Sequence, residues 1–362
     1  MDARDIWGGH REFYYFETTF TVPADAAGKI LIYELRTGRE GDWDALNPQF
    51  LAYVNGQLRH GLDVNHREIR LTECAEEGEQ FTILLSAFTG DNNFSLHLDS
   101  EVKVLVPEVE KYYYDLKVPY EVARLLDHDS DEYYTIIGSL NESLNRLDLR
   151  KPYSDMFFAS LKEAQKYLDE EFYGRKCGNS KETVYCMGHT HIDVAWLWTL
   201  ATTQDKTVRS FSTVLDLMKQ YPEYKFMSSQ PQLYKYVQKN APEVFEEIRK
   251  RVAEGRWEAE GGMFLEADCN LASGESLIRQ FLYGTRFFEK EFGKKNRILW
   301  LPDVFGYSAA LPQIMKKCGI RYFMTTKISW NEFNKMPYDT FMWEGIDGTE
   351  ILTHFIPARD YG

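Results

Sequence analysis

The chain has 362 residues, 44% hydrophobic and 27% charged, the proportions of a globular protein long enough for two or three cores. A formal charge of −14 argues against a nucleic-acid partner, which needs a basic face, and requires no explanation beyond solubility. No apolar run approaches the ~20 residues of a membrane span, and the N-terminal MDARDIWGGHREF has no signal-peptide pattern, so a cytoplasmic protein without a membrane partner is expected.

Residues 1 to about 110 read as β. Aromatic and β-branched runs predict strands over Phe13–Val22, Ile30–Glu34, Gln49–Val54, His66–Leu71, Gln80–Ser86 and Phe94–Leu98. Turn signals separate them, among them Asn55-Gly56, a hairpin dipeptide, and Gly90-Asp91-Asn92. Several short strands without helices predict a β-sandwich or jelly roll. A structural role is expected for it rather than carbohydrate binding, since no sugar-stacking face is distinguishable.

Residues 111–181 change character and predict a helical connector. Pro107–Lys117 is an acidic, aromatic crossover; Glu121–Asp127, Tyr133–Leu147 and Met156–Phe172 carry three- and four-residue apolar spacing. The loop Gly174–Lys181 ends this region.

From 182 onward strands and helices alternate, which predicts a parallel sheet with crossover helices. Strands are expected at Thr183–Met187, Tyr224–Ser228, Arg256–Glu260, Ile298–Leu301 and Tyr322–Thr326, with two more about Asp347-Gly348. Helices are expected around Val208–Met218, over Gln232–Gln238, Pro242–Glu254 and Glu275–Phe292 (behind Ser273 as N-cap), and over Pro312–Cys318. Closure of the sheet into a barrel is not readable from this pattern.

Chemistry concentrates in Gly188–Trp198 (GHTHIDVAWLW) and Trp300–Ser308 (WLPDVFGYS). His189, His191 and Asp193 alternate, so in an extended loop they can face one point with a donor set that zinc accepts. Asp303 also follows an apolar run, and loops at the C-terminal ends of strands are where α/β folds hold their sites. His191, Asp193 and Asp303 are therefore expected around one metal ion. His354 reads as a pocket or core residue. Cys74, Cys177, Cys186, Cys269 and Cys318 are scattered without a CxxC pair, as suits a reducing compartment; Cys186 and Cys269 read as small buried hydrophobes.

GHTHIDVAWLW, SFSTVLDLMKQYPEYKF, EGRWEAEGGMFLEADCNLASGES, WLPDVFGYSAALPQI and FMTTKISWN occur in one order over about half the chain. Together they resemble the α-mannosidases of glycoside hydrolase family 38, in particular the cytosolic and bacterial branch. The resemblance implies that residues 182–362 are the N-terminal part of a seven-stranded β/α barrel, with zinc, or cobalt, held by His191, Asp193 and Asp303. It makes His189 a supporting hydrogen-bonder and Asp303 also the nucleophile of a retaining exo-α-mannosidase acting on α-mannoside oligosaccharides. Trp196 and Phe305 would wall the sugar site, and Lys327 would stand near the nucleophile. A further metal-binding histidine and the acid/base would lie beyond Gly362, although Glu266 and Asp268 are also carboxyls in a loop after a strand. The chain is thus expected to be an inactive N-terminal piece of a longer enzyme. A homo-oligomer stays open. The rival readings are a metal-dependent deacetylase with Asp303 as base, and a non-catalytic glycan-binding module.

Overall fold

The structure is a computed structural model that describes residues 5–39, 48–90, 92–177 and 181–357. Asp91 of the expected 90–92 turn and residues 178–180 of the expected 174–181 loop lie outside this set.

The N-terminal region holds β1 (Trp7–Gly9), β2 (Phe13–Thr21), β3 (Ile30–Arg36), β4 (Gln49–Val54), β5 (Gln57–Leu62), β6 (Glu68–Thr72), β7 (Gln80–Phe88), β8 (Phe94–Leu96) and β9 (Asp99–Leu105). They form antiparallel sheets in the orders β2-β7-β4-β5 and β6-β3-β9, with β1 paired to β8. Strict alternation sends Phe81, Ile83, Leu85 and Ala87 of β7, Phe50, Ala52 and Val54 of β4, and Leu31, Tyr33 and Leu35 of β3 into one core. The β4–β5 hairpin turns at Asn55 and Gly56, both at positive φ (51° and 78°), as a two-residue turn of matching twist requires. The strand β9 was not expected: its DSEVKVL lacks the aromatic enrichment of the others, and it is fixed by pairing along the whole of β3.

Three helices follow: α1 (Pro107–Ala123), α2 (Asp131–Leu144) and α3 (Asp155–Tyr167), the last running into one wider turn over Leu168–Tyr173. The 107–117 stretch is therefore helix and not a crossover, and the expected helix at 121 is its continuation. Pro107 opens it at the position where a missing N–H costs nothing, and Tyr112 seals it to α2 and α3 through Ser143 Oγ at 2.9 Å. Ser130 and Ser154 cap α2 and α3, accepting from the N–H of Tyr133 and Phe157.

The remainder alternates: β10 (Gly188–His189), α4 (Leu200–Gln220), β11 (Phe226–Ser228), α5 (Pro231–Asn240), α6 (Pro242–Ala253), β12 (Trp257–Ala259), α7 (Gly274–Phe292), β13 (Ile298–Trp300), α8 (Leu311–Lys317), β14 (Tyr322–Thr325), β15 (Thr340–Glu344) and β16 (Glu350–Phe355). Strands β10-β11-β12 and β13-β14-β16 are parallel, with β15 antiparallel on the edge. A parallel bridge between Gly261 and Leu299 carries the first group into the second. Closure into a barrel is not seen among the described residues. The overall class is mixed α/β with several sheets.

One expectation fails here. Thr183–Met187 is not a buried strand: the segment has no regular structure and is exposed, Tyr185 at 92%, and pairing starts only at Gly188. β10 has β11 on one side and no other strand partner among the described residues, so the apolar run before it has nothing to bury against. Cys186 is exposed for the same reason, while Cys269 is buried as expected.

Candidate metal centre

Five consecutive parallel strands deliver their C-terminal ends to one place. His189 ends β10 and is pinned twice: the Trp300 indole N–H donates to its Nε2 at 3.1 Å, so the proton sits on Nδ1, which donates to the Met227 carbonyl at 3.0 Å. Burial drives its pKa down to about 4, partly offset by the Met227 carbonyl, and both ring nitrogens are occupied. His189 therefore braces β10 against β11 and β13 and is not among the converging donors.

Two residues on, His191 Nε2 lies 3.3 Å from Asp193 Oδ1 and 3.4 Å from Asp303 Oδ2. Ligand atoms from the three all lie within 4.8 Å of one another, in half-buried positions. Donors on a tetrahedron of radius ~2.1 Å stand roughly 3.4 Å apart, so the spacing suits zinc. The donor set also suits it: one imidazole and two carboxylates, with Nδ1 of His191 turned away toward Glu266 Oε1 at 3.2 Å. Burial works against the charged imidazole, but Glu266, Asp193 and Asp303 override it and push the His191 pKa up to about 12. A divalent cation at Nε2 would neutralise the same carboxylates.

Local packing holds the two aspartates. Thr203 of α4, itself buried, donates to the Asp193 carbonyl at 3.3 Å. The Asp303 loop is stapled by Tyr307, whose hydroxyl lies 2.8 Å from the Leu301 carbonyl and 2.6 Å from Thr325 Oγ1 of β14. Gly306 is required there: at φ 130° a Cβ would stand 2.5 Å from Asn270 Nδ2.

Lys327, just past β14, puts Nζ 2.5 Å from Asp303 Oδ1. The same ammonium lies over two rings, 4.5 Å from the centre of Phe305 and 3.6 Å from that of Trp330. Phe305 is 74% exposed, and Trp196, on the loop after Asp193, is half exposed with its ring edge-on to Trp198. Phe305 and Trp330 lie beside the cluster through Lys327, and all three rings are largely exposed rather than part of a core. Trp330 was not singled out from the sequence, since a tryptophan after a strand carries no signal until its lysine partner is known. His354 bonds Thr340 within the β15–β16 pair. Asp268 is exposed and commits Oδ1 to the N–H groups of Asn270 and Leu271. Glu266 faces the back of His191, with a side chain only 7% exposed.

Polar loops gathered at the carboxyl ends of a parallel sheet are the place where α/β folds hold their sites, and comparisons give the family. The profile of the glycosyl hydrolases family 38 N-terminal domain matches residues 181–362. Alpha-mannosidase G of Dictyostelium discoideum is 38% identical over 96% of this chain and 32% of its own length. Alpha-mannosidase 2C1 of Homo sapiens is 40% identical over 73% of this chain and 25% of its own. An alpha-mannosidase of Saccharomyces cerevisiae is 37% identical over 75% of this chain and 26% of its own. Among solved structures, an alpha-mannosidase from Enterococcus faecalis aligns over 48% of this chain and 20% of its own, with 24% identity and a TM-score of 0.41. The chain belongs to glycosyl hydrolase family 38. It spans about a quarter to a third of the length of these curated relatives.

Proposed function

We propose that the protein is a metal-dependent, retaining exo-α-mannosidase hydrolysing terminal α-mannosides of oligosaccharides. The observation that carries this is the meeting of His191 Nε2 with carboxylate oxygens of Asp193 and Asp303 at the spacing of a tetrahedral cation. Three relatives named alpha-mannosidase at 37–40% identity support the substrate class. Zinc or cobalt, when bound, supplies a Lewis acid that orients vicinal cis hydroxyls of mannose, which glucose lacks in that geometry.

In this reading Asp303 has divided duties. Oδ2 belongs to the donor set and Oδ1 is the attacking oxygen, with Lys327 as its cationic neighbour. Oδ1 forms a bond to the anomeric carbon as the glycosidic C–O bond breaks and the leaving oxygen takes a proton from an acid. Water then adds to the same carbon from the face that was vacated, its proton goes to the conjugate base, and Asp303 leaves as carboxylate. Two inversions give retention. Trp196 and Phe305 flank the sugar. Glu266 engages Oε1 with His191 and Asp268 engages Oδ1 in its own turn, and the acid is assigned to neither.

Residues 1–110 are taken as a structural β-sandwich, 111–181 as a connector and 182–362 as the N-terminal part of a β/α barrel. The two antiparallel sheets sharing one core and the in-order parallel strands support this division. No helix of the described residues is long and apolar enough to cross a membrane. Five free thiols agree with a cytosolic setting.

Two results test the activity. In the full-length protein Asp303→Ala should cut aryl-α-mannoside hydrolysis by several orders of magnitude, and a chelator should abolish wild-type turnover; unchanged rates in both would defeat the proposal. A fluorinated mannosyl trap should leave a covalent adduct on Asp303. Loss of an acetyl group from a substrate, with no adduct, would instead favour a deacetylase using Asp303 as base.

A further inference from the structure

The carboxylate behind His191 sits in a lock built from three loops. Glu266 Oε1 accepts from His191 Nδ1 at 3.2 Å and from Gln230 Nε2 at 3.2 Å, with Ser229 Oγ at 3.5 Å. Gln230 also donates to the Ile192 carbonyl at 3.1 Å, and its own oxygen accepts the Glu266 backbone N–H at 3.3 Å. One buried amide thus ties the loop after β10, which carries His191 and Asp193, to the loop after β12, which carries Glu266.

The lock is held against local preference. Gln230 is a non-glycine residue at φ 61°, a conformation that costs energy and persists only where surroundings enforce it. Glu266 keeps a second buried oxygen, Oε2, without a hydrogen-bond partner among the described residues, a further cost for a side chain that stability alone would replace. An imidazole can present Nε2 to a cation only if its ring is turned correctly and its proton is kept on Nδ1. A fixed acceptor at Nδ1 achieves both.

We infer that Glu266, clamped by Gln230, is the positioning residue that fixes the ring and tautomer of His191 so that Nε2 faces Asp193 and Asp303. The inference rests on the metal-centre reading above. It assigns Glu266 no contact with substrate, and it makes the 263–268 loop part of the metal-affinity machinery.

The test is cobalt(II) titration of the purified full-length protein, followed by calorimetry and by the visible ligand-field absorption of the bound ion. Thermal midpoints in chelator serve as the fold control. Glu266→Ala should weaken cobalt binding by about 10–100-fold and change the absorption envelope. Glu266→Gln, which retains an acceptor oxygen for Nδ1–H, should recover much of that loss. Gln230→Met, which removes the clamp and keeps the carboxylate, should weaken binding as well. All three should melt within a few degrees of wild type without metal. Wild-type cobalt affinity and spectrum in Glu266→Ala would overturn the positioning role and leave the metal centre standing. Equal loss in Glu266→Ala and Glu266→Gln with collapsed melting would assign Glu266 to structure alone. Absence of cobalt binding in the wild-type full-length protein would overturn both readings.

Discussion

At the scale of single residues, the site is a contest for carboxylate charge. Asp303 is shared: one oxygen toward His191, the other toward the Lys327 ammonium, which two exposed rings cover. An ion pair under aromatic faces is worth more than one in open water, because its charges are less hydrated. In the full-length protein Lys327→Met should therefore lower kcat/KM for aryl α-mannosides by roughly 10–100-fold, the worth of one charge-assisted hydrogen bond. Lys327→Arg should keep part of it. Steady-state kinetics of the two variants checks this, and equal, wild-type-like values would remove Lys327 from the site. His191, Asp193 and Asp303 were legible in the sequence because each lies at the end of an apolar run. Glu266 was legible only as one of two carboxyls in a loop. Gln230 carried no signal, since its importance comes from a left-handed backbone and two partners far apart in sequence.

At the scale of elements, the N-terminal sheets meet the parallel region along β5 and α4. Gly61 leaves no room for a side chain at this seam: a Cβ there would fall 1.9 Å from Arg209 Cγ. Beside it Asp63 Oδ2 accepts from Arg209 Nη1 at 3.0 Å, and Oδ1 accepts from the His66 N–H at 2.7 Å. Burial opposes the Asp63 charge, yet the His66 hydrogen bonds and the Arg209 guanidinium override it and hold the carboxyl well below the usual carboxylate range. With a folded pKa below the unfolded value of about 3.9, its stabilisation is fully present above that value. It is lost as pH falls through about 4 toward the folded pKa. Asp63→Asn should cost about 3 kcal/mol at neutral pH and flatten the acid limb of the stability curve, as read by denaturant melts from pH 3 to 7. An unchanged acid limb would show that this pair does not join the two regions. Strand and helix periods foretold most elements here, but not this seam. The β5 sequence QLRHGL has no pattern that names a helix more than a hundred residues away as its cover. The Thr183–Met187 run misled for a related reason: apolar, β-branched residues foretell a strand only where a neighbour exists to pair with.

At the scale of the molecule, the side chains of His191, Asp193 and Asp303, on the loops after β10 and β13, meet because the strands between them, β11 and β12, stand in sequence order in one parallel array, joined at Gly261 and Leu299. Alternation of strands and helices made the array legible, whereas its curvature and the two-sheet arrangement of the first hundred residues depend on pairings no local pattern records. That His191, Asp193 and Asp303 hold one cation is open to direct measurement. Diffraction at the zinc absorption edge from crystals of the full-length protein grown with zinc measures it directly. One strong anomalous peak is expected about 2.0–2.2 Å from His191 Nε2 and from a carboxylate oxygen of both Asp193 and Asp303. A zinc peak elsewhere with those three side chains still paired to one another, or none at saturating zinc, would contradict it.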